Sequence, residues 1–393
     1  MLLCRSLALL AVAAAAASTA SASLALPFAW SPQTQGLALP QRAPVWTHNE
    51  FPVDDVVTST DRAGVVDVRV WNKQNSLDYV EVDIGTPPQR LRLAPLLHDN
   101  PTWVFAAPYG AHHVYNHSQS STFDASASGA TITLEGLQMT VAKDRATIGD
   151  VSGLESDWVF AELTDFKRLP PVWKQVPYDG FLSFGIPGND VPALVPSLAR
   201  AGVLAEPVLA FALRKNANGV LSLGGVNPQH FRGDITYIDT AVDSKLTWAV
   251  ALSGVDLIGT GRQLKGGKLA FYGGMSGVFG SRGAVAAAMK EIEAVAGPCE
   301  MMQSLHICSC EKLPSLTFQI GEGSQRVALT IARADYSHRV GPDKCFVALI
   351  GLPELETVSV DWVVGRQALT DHYAVFDYGN DSRRARVGFA KRA

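Results

Sequence analysis

Short runs of alternating apolar and polar residues recur along this chain, each cut off by Gly, Pro or Asn. Val65 to Trp71, Tyr79 to Ile84, Thr131 to Leu134, Val220 to Leu223 and Ala374 to Phe376 are the clearest. A period of two places alternate side chains on opposite faces of a strand, so the pattern predicts a mostly β protein. Helical candidates are few, the best being Pro192 to Ala201 and the Ala-rich Gly283 to Val295. The 393 residues are 47% hydrophobic and 18% charged, with a net charge of −4. That excludes a disordered chain, which needs low hydrophobicity and high net charge. It also excludes the basic footprint of a nucleic-acid binder.

The N-terminus combines Arg5, an apolar run from Leu7 to Ala17, and Ala20-Ser21-Ala22. A basic start, a short apolar stretch and a small-residue site predict a cleaved secretory signal peptide over residues 1–22. The run is about 11 residues, against the roughly 20 that a spanning helix needs, so no membrane anchor is expected. Residues 23–64 are Pro-rich and irregular and are expected to be a linker or pro-segment. Removal of the leader takes Cys4 and leaves Cys299, Cys308, Cys310 and Cys345. An even number in an oxidising compartment predicts disulfides, with three connectivities open. The spacing Cys308-Ser309-Cys310 is too tight for the usual zinc pattern. Asn116-His117-Ser118 and Asn380-Asp381-Ser382 are glycosylation sequons, consistent with a secreted chain.

The two halves echo each other. Ala94-Pro95-Leu96-Leu97 precedes Trp103-Val104 in the first, and Leu269 to Gly274 precedes Gly280 in the second. Two similar β lobes with a cleft between them follow, and such clefts are the usual place for a ligand.

Ile84-Gly85-Thr86-Pro87-Pro88-Gln89, followed by an apolar strand and Trp103-Val104, resembles the pepsin-like aspartic proteases. Later segments keep the family order: Ser120 to Phe123, Tyr178 to Leu182, Leu223-Gly224-Gly225, Leu313-Pro314, Trp362 to Gly365, Val375 to Asp377 and Val387 to Phe389. The resemblance implies the bilobal pepsin β-fold over residues 65–393, with lobes of about 65–235 and 236–393. It also implies hydrolysis by two aspartates, one per lobe, each in an Asp-Thr/Ser-Gly turn. Two close carboxylates share one proton, because both cannot ionise together.

In that register the first aspartate position, seven residues after Gln89, is Leu96, and the second is Tyr272. Leu97 and His98 stand where the family has Thr and Gly, and Gly273 and Gly274 follow Tyr272. The flap tyrosine matches Leu134, followed by Glu135. Asp99 lies past the turn, and Asp256 is sixteen residues before Tyr272, so neither replaces a lost acid. Arg366 stands where the second lobe of the family has an Asp.

The resemblance therefore implies a secreted pseudoprotease with no catalytic residues. Leu96, Leu97, His98, Leu134, Tyr272, Gly273 and Gly274 would line an apolar cleft for a peptide, protein or carbohydrate. An active aspartic endopeptidase with an altered site is the alternative. The resemblance also suggests that Cys345 pairs with Cys308 or Cys310; parity alone then leaves the other for Cys299.

No cofactor, metal, nucleic acid or membrane is expected, and the protein is expected to be a monomer. His112, His113 and His117 could suggest a metal, but no neighbouring carboxylate is evident in the sequence, and an exposed loop beside Asn116 is the simpler expectation. His98-Asp99 lacks any nucleophile elbow to serve. Gly259-Thr260-Gly261 and Gly266-Gly267 are read as hairpin turns, since no Lys-Ser/Thr pair or helix start follows.

Overall fold

A computed structural model describes residues 64–73, 77–97, 101–134, 137–149, 154–167, 169, 173–174, 176–186, 192–241, 248–274, 276–302, 305–379 and 384–393. The expected leader at 1–22 and all but the last residue of the expected pro-segment lie outside them, as do His98, Asp99, Glu135 and Asn380. Among the described residues, 24 strands form sheets of 13, 7 and 4 strands. The alternating runs fall where the sequence predicts them: Val66–Lys73, Leu77–Ile84, Thr131–Leu134, Ala217–Leu223 and His372–Asp377 are strands. This is the mostly β, two-lobed pepsin-like architecture.

The same strand pattern occurs twice. In the first lobe Gln89–Leu96 runs parallel to Gly180–Ser183, which is antiparallel to Trp103–Phe105, which is parallel to Ser156–Leu163. In the second, Arg262–Phe271 runs parallel to Trp362–Val364, which is antiparallel to Val278–Gly280, which is parallel to Leu349–Gly351. The halves also share a sheet. Phe231–Asp239, Arg386–Arg392 and His372–Asp377 continue into Val208–Arg214, Ala217–Leu223 and Val66–Lys73. The lobe boundary expected near residue 235 thus falls inside a strand of this common sheet.

Both predicted helices form. Arg282–Ala296 starts at Ser281, whose side chain accepts the Ala284 N–H, and stops at Gly297 with φ 84°. Val285, Ala288, Met289, Ile292 and Ala296 make its buried stripe. The other is the shorter Leu194–Arg200. Among the described residues no helix is long and apolar enough to cross a membrane.

Gly259 to Gly261 do form a turn, but Gly266 and Gly267 lie within the strand Arg262–Phe271, contrary to expectation. They are needed for close approach. A Cβ on Gly266 would stand 2.2 Å from the Leu252 carbonyl oxygen, and one on Gly267 2.0 Å from an Asp361 carboxylate oxygen.

Candidate functional site

Two strands deliver the central residues. Gln89–Leu96 alternates Arg90 and Arg92 with the buried Leu91 and Leu93, then turns wholly apolar at Ala94-Pro95-Leu96. It runs between Leu77–Ile84 and Gly180–Ser183, and the Leu96 carbonyl accepts the Phe184 N–H at 2.7 Å. In the second lobe, Tyr272 follows Arg262–Phe271 and donates its N–H to the Val364 carbonyl at 2.9 Å.

The two strand ends meet. Leu96 forms an antiparallel bridge with Gly273. The Leu97 N–H donates to the Tyr272 carbonyl at 3.2 Å, and the Gly274 N–H to the Pro95 carbonyl at 3.0 Å. Gly273 has φ 102°, and a Cβ there would stand 2.7 Å from the Pro95 oxygen. Only glycine takes that backbone without strain while letting the lobes approach this closely.

The side chains at this joint are packed away from solvent. Leu96 and Tyr272 are each 1% exposed and belong to one apolar cluster with Trp103, Trp173, Phe181 and Phe279. The Tyr272 and Phe279 rings lie 5.9 Å apart, and Trp103 and Phe181 4.8 Å. Leu97 is fully buried in the larger core cluster. The apolar, aromatic composition anticipated from the sequence is present, but Leu96, Leu97 and Tyr272 form a filled floor instead of an open lining. Gly273 and Gly274 are the close-contact residues of the joint. Leu134 ends the strand Thr131–Leu134 opposite Leu137, at the tip of a hairpin.

Among the described residues, a carboxylate, that of Asp78, adjoins the joint. Asp78 donates its backbone N–H to the Gly274 carbonyl at 2.9 Å. Its side chain receives Arg366 Nε at 2.8 Å on one oxygen and the Asn72 amide at 2.6 Å on the other. Asp78 and Arg366 are each 1% exposed. Complete burial pushes the Asp78 carboxyl above the usual carboxylate range, while Arg366 and Asn72 pull against that shift. Arg366 also donates to the Arg214 carbonyl at 2.9 Å. Sequence reasoning noticed Arg366 and missed Asp78. The available signal was a charge inside the apolar run Leu77-Asp78-Tyr79.

The three histidines divide between two carboxylates, Asp179 and Glu162. The His112 side chain is 3% exposed, with Nε2 2.7 Å from the Trp173 carbonyl and its ring stacked on Tyr109. His113 donates its backbone N–H to Asp179 at 2.9 Å. His117 Nδ1 lies 2.9 Å from Glu162 and its ring stacks on Phe123. Carboxylates are thus at hand, contrary to the sequence expectation: His112 and His113 both face Asp179, their Nδ1 atoms 3.7 and 3.4 Å from its oxygens, while His117 faces Glu162. Asp179 is buried and would be raised by desolvation, yet His112, Arg92 and His113 hold it below its ordinary value.

The disulfides are Cys299–Cys308 and Cys310–Cys345, which resolves the connectivity left open. Asn116 is exposed, and its side-chain oxygen accepts the Ser118 hydroxyl at 2.7 Å.

Residues 78–392 match the family described as eukaryotic aspartyl protease, and the chain belongs to that family. It is 28% identical to vacuolar protease A of Aspergillus fumigatus over 83% of this chain and 81% of that protein. It is 26% identical to renin-2 of Mus musculus, covering 84% of each, and 26% identical to cathepsin D of Gallus gallus, covering 81% and 82%.

Proposed function

We propose that this is a non-catalytic member of the aspartyl protease family, secreted, that binds a peptide, protein or carbohydrate through its cleft rim and loops. The observation that carries the proposal is the joint itself. Where the strands of the two lobes meet, the side chains are Leu96 and Tyr272, buried against aromatic rings. Aspartic chemistry needs a pair of carboxylates that share a proton and touch water. Among the described residues the carboxylate beside the joint is Asp78, which is buried and has both oxygens engaged by Arg366 and Asn72. Because the floor is filled, binding is assigned to the rim above it.

The leader-like N-terminus and two disulfides support export through an oxidising compartment. Asn116, exposed in its sequon, is the described candidate for glycosylation.

The competing proposal is an active endopeptidase, favoured by relatives that carry protease names. Incubating the purified protein with unfolded substrates across acidic and neutral pH separates the two. No cleavage sensitive to a pepstatin-type inhibitor is expected, and such cleavage would overturn the proposal. Peptide and glycan arrays probed with the same preparation then sort the ligand classes.

A further inference from the structure

The four-stranded sheet places three cysteines in one row. Leu305–Cys308 lies between Glu300–Met302 and Lys344–Val347. On one side Glu300 is paired with Ile307, so the next residues outward, Cys299 and Cys308, are opposed, and these are bonded with Cα atoms 4.5 Å apart. On the other side Cys308 is the register partner of Cys345. Directly opposed residues project from the same face with Cα atoms about 4.5–5.5 Å apart. That falls inside the roughly 4.4–6.8 Å over which disulfides form. Cys345 is nonetheless bonded to Cys310, two residues further along, with Cα atoms 5.0 Å apart. By this register Cys308 and Cys345 are each opposed to a second cysteine at the separation expected of a bridging pair.

We propose that the two disulfides are coupled by thiol–disulfide exchange, so that reduction entering at Cys299 leaves at Cys310. Cys299 is the least buried of the four, whereas Cys308, Cys310 and Cys345 are 2%, 7% and 5% exposed. A dithiol reductant is the co-reactant. Its thiolate attacks Sγ of Cys299, breaks the Cys299–Cys308 bond and leaves Cys308 as a thiolate. The reductant's second thiol resolves the mixed disulfide, so the reductant departs oxidised and Cys299 is a free thiol. The Cys308 thiolate attacks Sγ of Cys345, forms Cys308–Cys345 and expels Cys310 as a thiolate, which takes a proton from water. Two electrons have entered, one of two disulfides is lost, and the survivor has a new partner. The exchange transfers the tether from Cys310, which opens the short turn Cys310–Lys312 leading into the strand Leu316–Ile320, to Cys308. The sheet is then a redox switch that chooses which segment is fastened to the strand Lys344–Val347.

The test uses the full secreted protein, exposed to a limiting amount of dithiothreitol, quenched with acid, alkylated and mapped by peptide mass spectrometry. Label on Cys299 and Cys310, with a linked Cys308–Cys345 peptide, is expected. Label on Cys299 and Cys308 with Cys310–Cys345 intact would overturn the proposal. Label on all four without the exchanged species at any time point would also overturn it. In the Cys308→Ser variant Cys299 is free from the start, and dithiothreitol at the same dose should no longer release Cys310. Continued release of Cys310 in that variant would count against the exchange.

Discussion

Asp78 and Arg366, 288 positions apart in the chain, form a 2.8 Å ion pair that water does not reach. The pair sits against the second-lobe turn: a Cβ on Gly274 would fall 2.9 Å from the Asp78 Cβ. The aspartate enters with the strand Leu77–Ile84 and the arginine with the turn that follows Trp362–Val364. The contact is therefore a brace between distant segments at the centre of the molecule.

Removing one member of that pair strands the other charge in the interior. Asp78→Asn or Arg366→Met alone should cost about 3–5 kcal/mol, while Asp78→Leu with Arg366→Met together should cost less than the sum. Urea unfolding of the two single variants and the double variant measures the coupling. Additive losses would show that the charges do not depend on each other.

Restoring acids should not restore chemistry. Leu96→Asp with Tyr272→Asp places two carboxyls in a cluster built of Leu, Trp and Phe, where burial raises their pKa and weakens the fold. Leu97 and Gly273 offer no side-chain hydroxyl to orient them. Adding Gly273→Thr would not help, because its Cβ would press within 2.7 Å of the Pro95 oxygen. A lower unfolding midpoint and no pepstatin-sensitive cleavage at acidic pH are expected. Strong cleavage by the double variant would mean that the rest of the site is intact.

Acid should destabilise the protein through particular buried carboxylates. Burial alone would raise Asp67, but His230, Ser222 and Asn227 outweigh it and hold the carboxyl below its ordinary value. Asp144 is likewise lifted by burial and held down more strongly by Ser120, Thr122, Tyr115 and the Arg145 N–H. A group whose folded pKa is depressed stabilises above its unfolded value, about 3.9 for Asp, and that stability drains as pH falls through the folded value. Unfolding free energy should therefore fall steadily below about pH 4, and Asp67→Asn should flatten that fall. A pH profile unchanged by Asp67→Asn would contradict the assignment.

The two disulfides should differ in worth. Cys310–Cys345 spans 35 positions and Cys299–Cys308 spans 9. If loop closure dominates, replacing Cys310 and Cys345 together by Ala should cost about 1 kcal/mol more than replacing Cys299 and Cys308 together. Denaturant midpoints of the two double variants give the comparison. Equal or reversed losses would point to local packing as the controlling factor.

Strand positions were legible because alternation is a local property, and the helix Arg282–Ala296 because its apolar stripe repeats within one segment. The turns around Leu96 and Tyr272 were located only through motif spacing. Their burial was not legible, since the aromatic residues that share their cluster, Trp173 and Phe181 among them, arrive from segments far along the chain. Gly266 and Gly267 were misplaced because a glycine that makes a turn and one that admits a neighbouring backbone look alike in sequence. Asp78 was overlooked for a similar reason: its partner lies in another lobe's turn. The carboxylates beside His112 and His117 come from residues 179 and 162, beyond any local window.

At the seam between the lobes the hydrogen bonds from Leu97 to Tyr272 and from Gly274 to Pro95 run between peptide groups. Peptide groups are common to every residue, so the stitching is indifferent to what positions 96, 97 and 272 carry, provided it fits the space. Architecture and reactivity are thereby uncoupled at the very place where the two would be thought inseparable. A lineage with this seam can lose, exchange or reinvent the chemistry of its centre while the folded body is kept, and the close approach restricts side chains chiefly at positions 273 and 274.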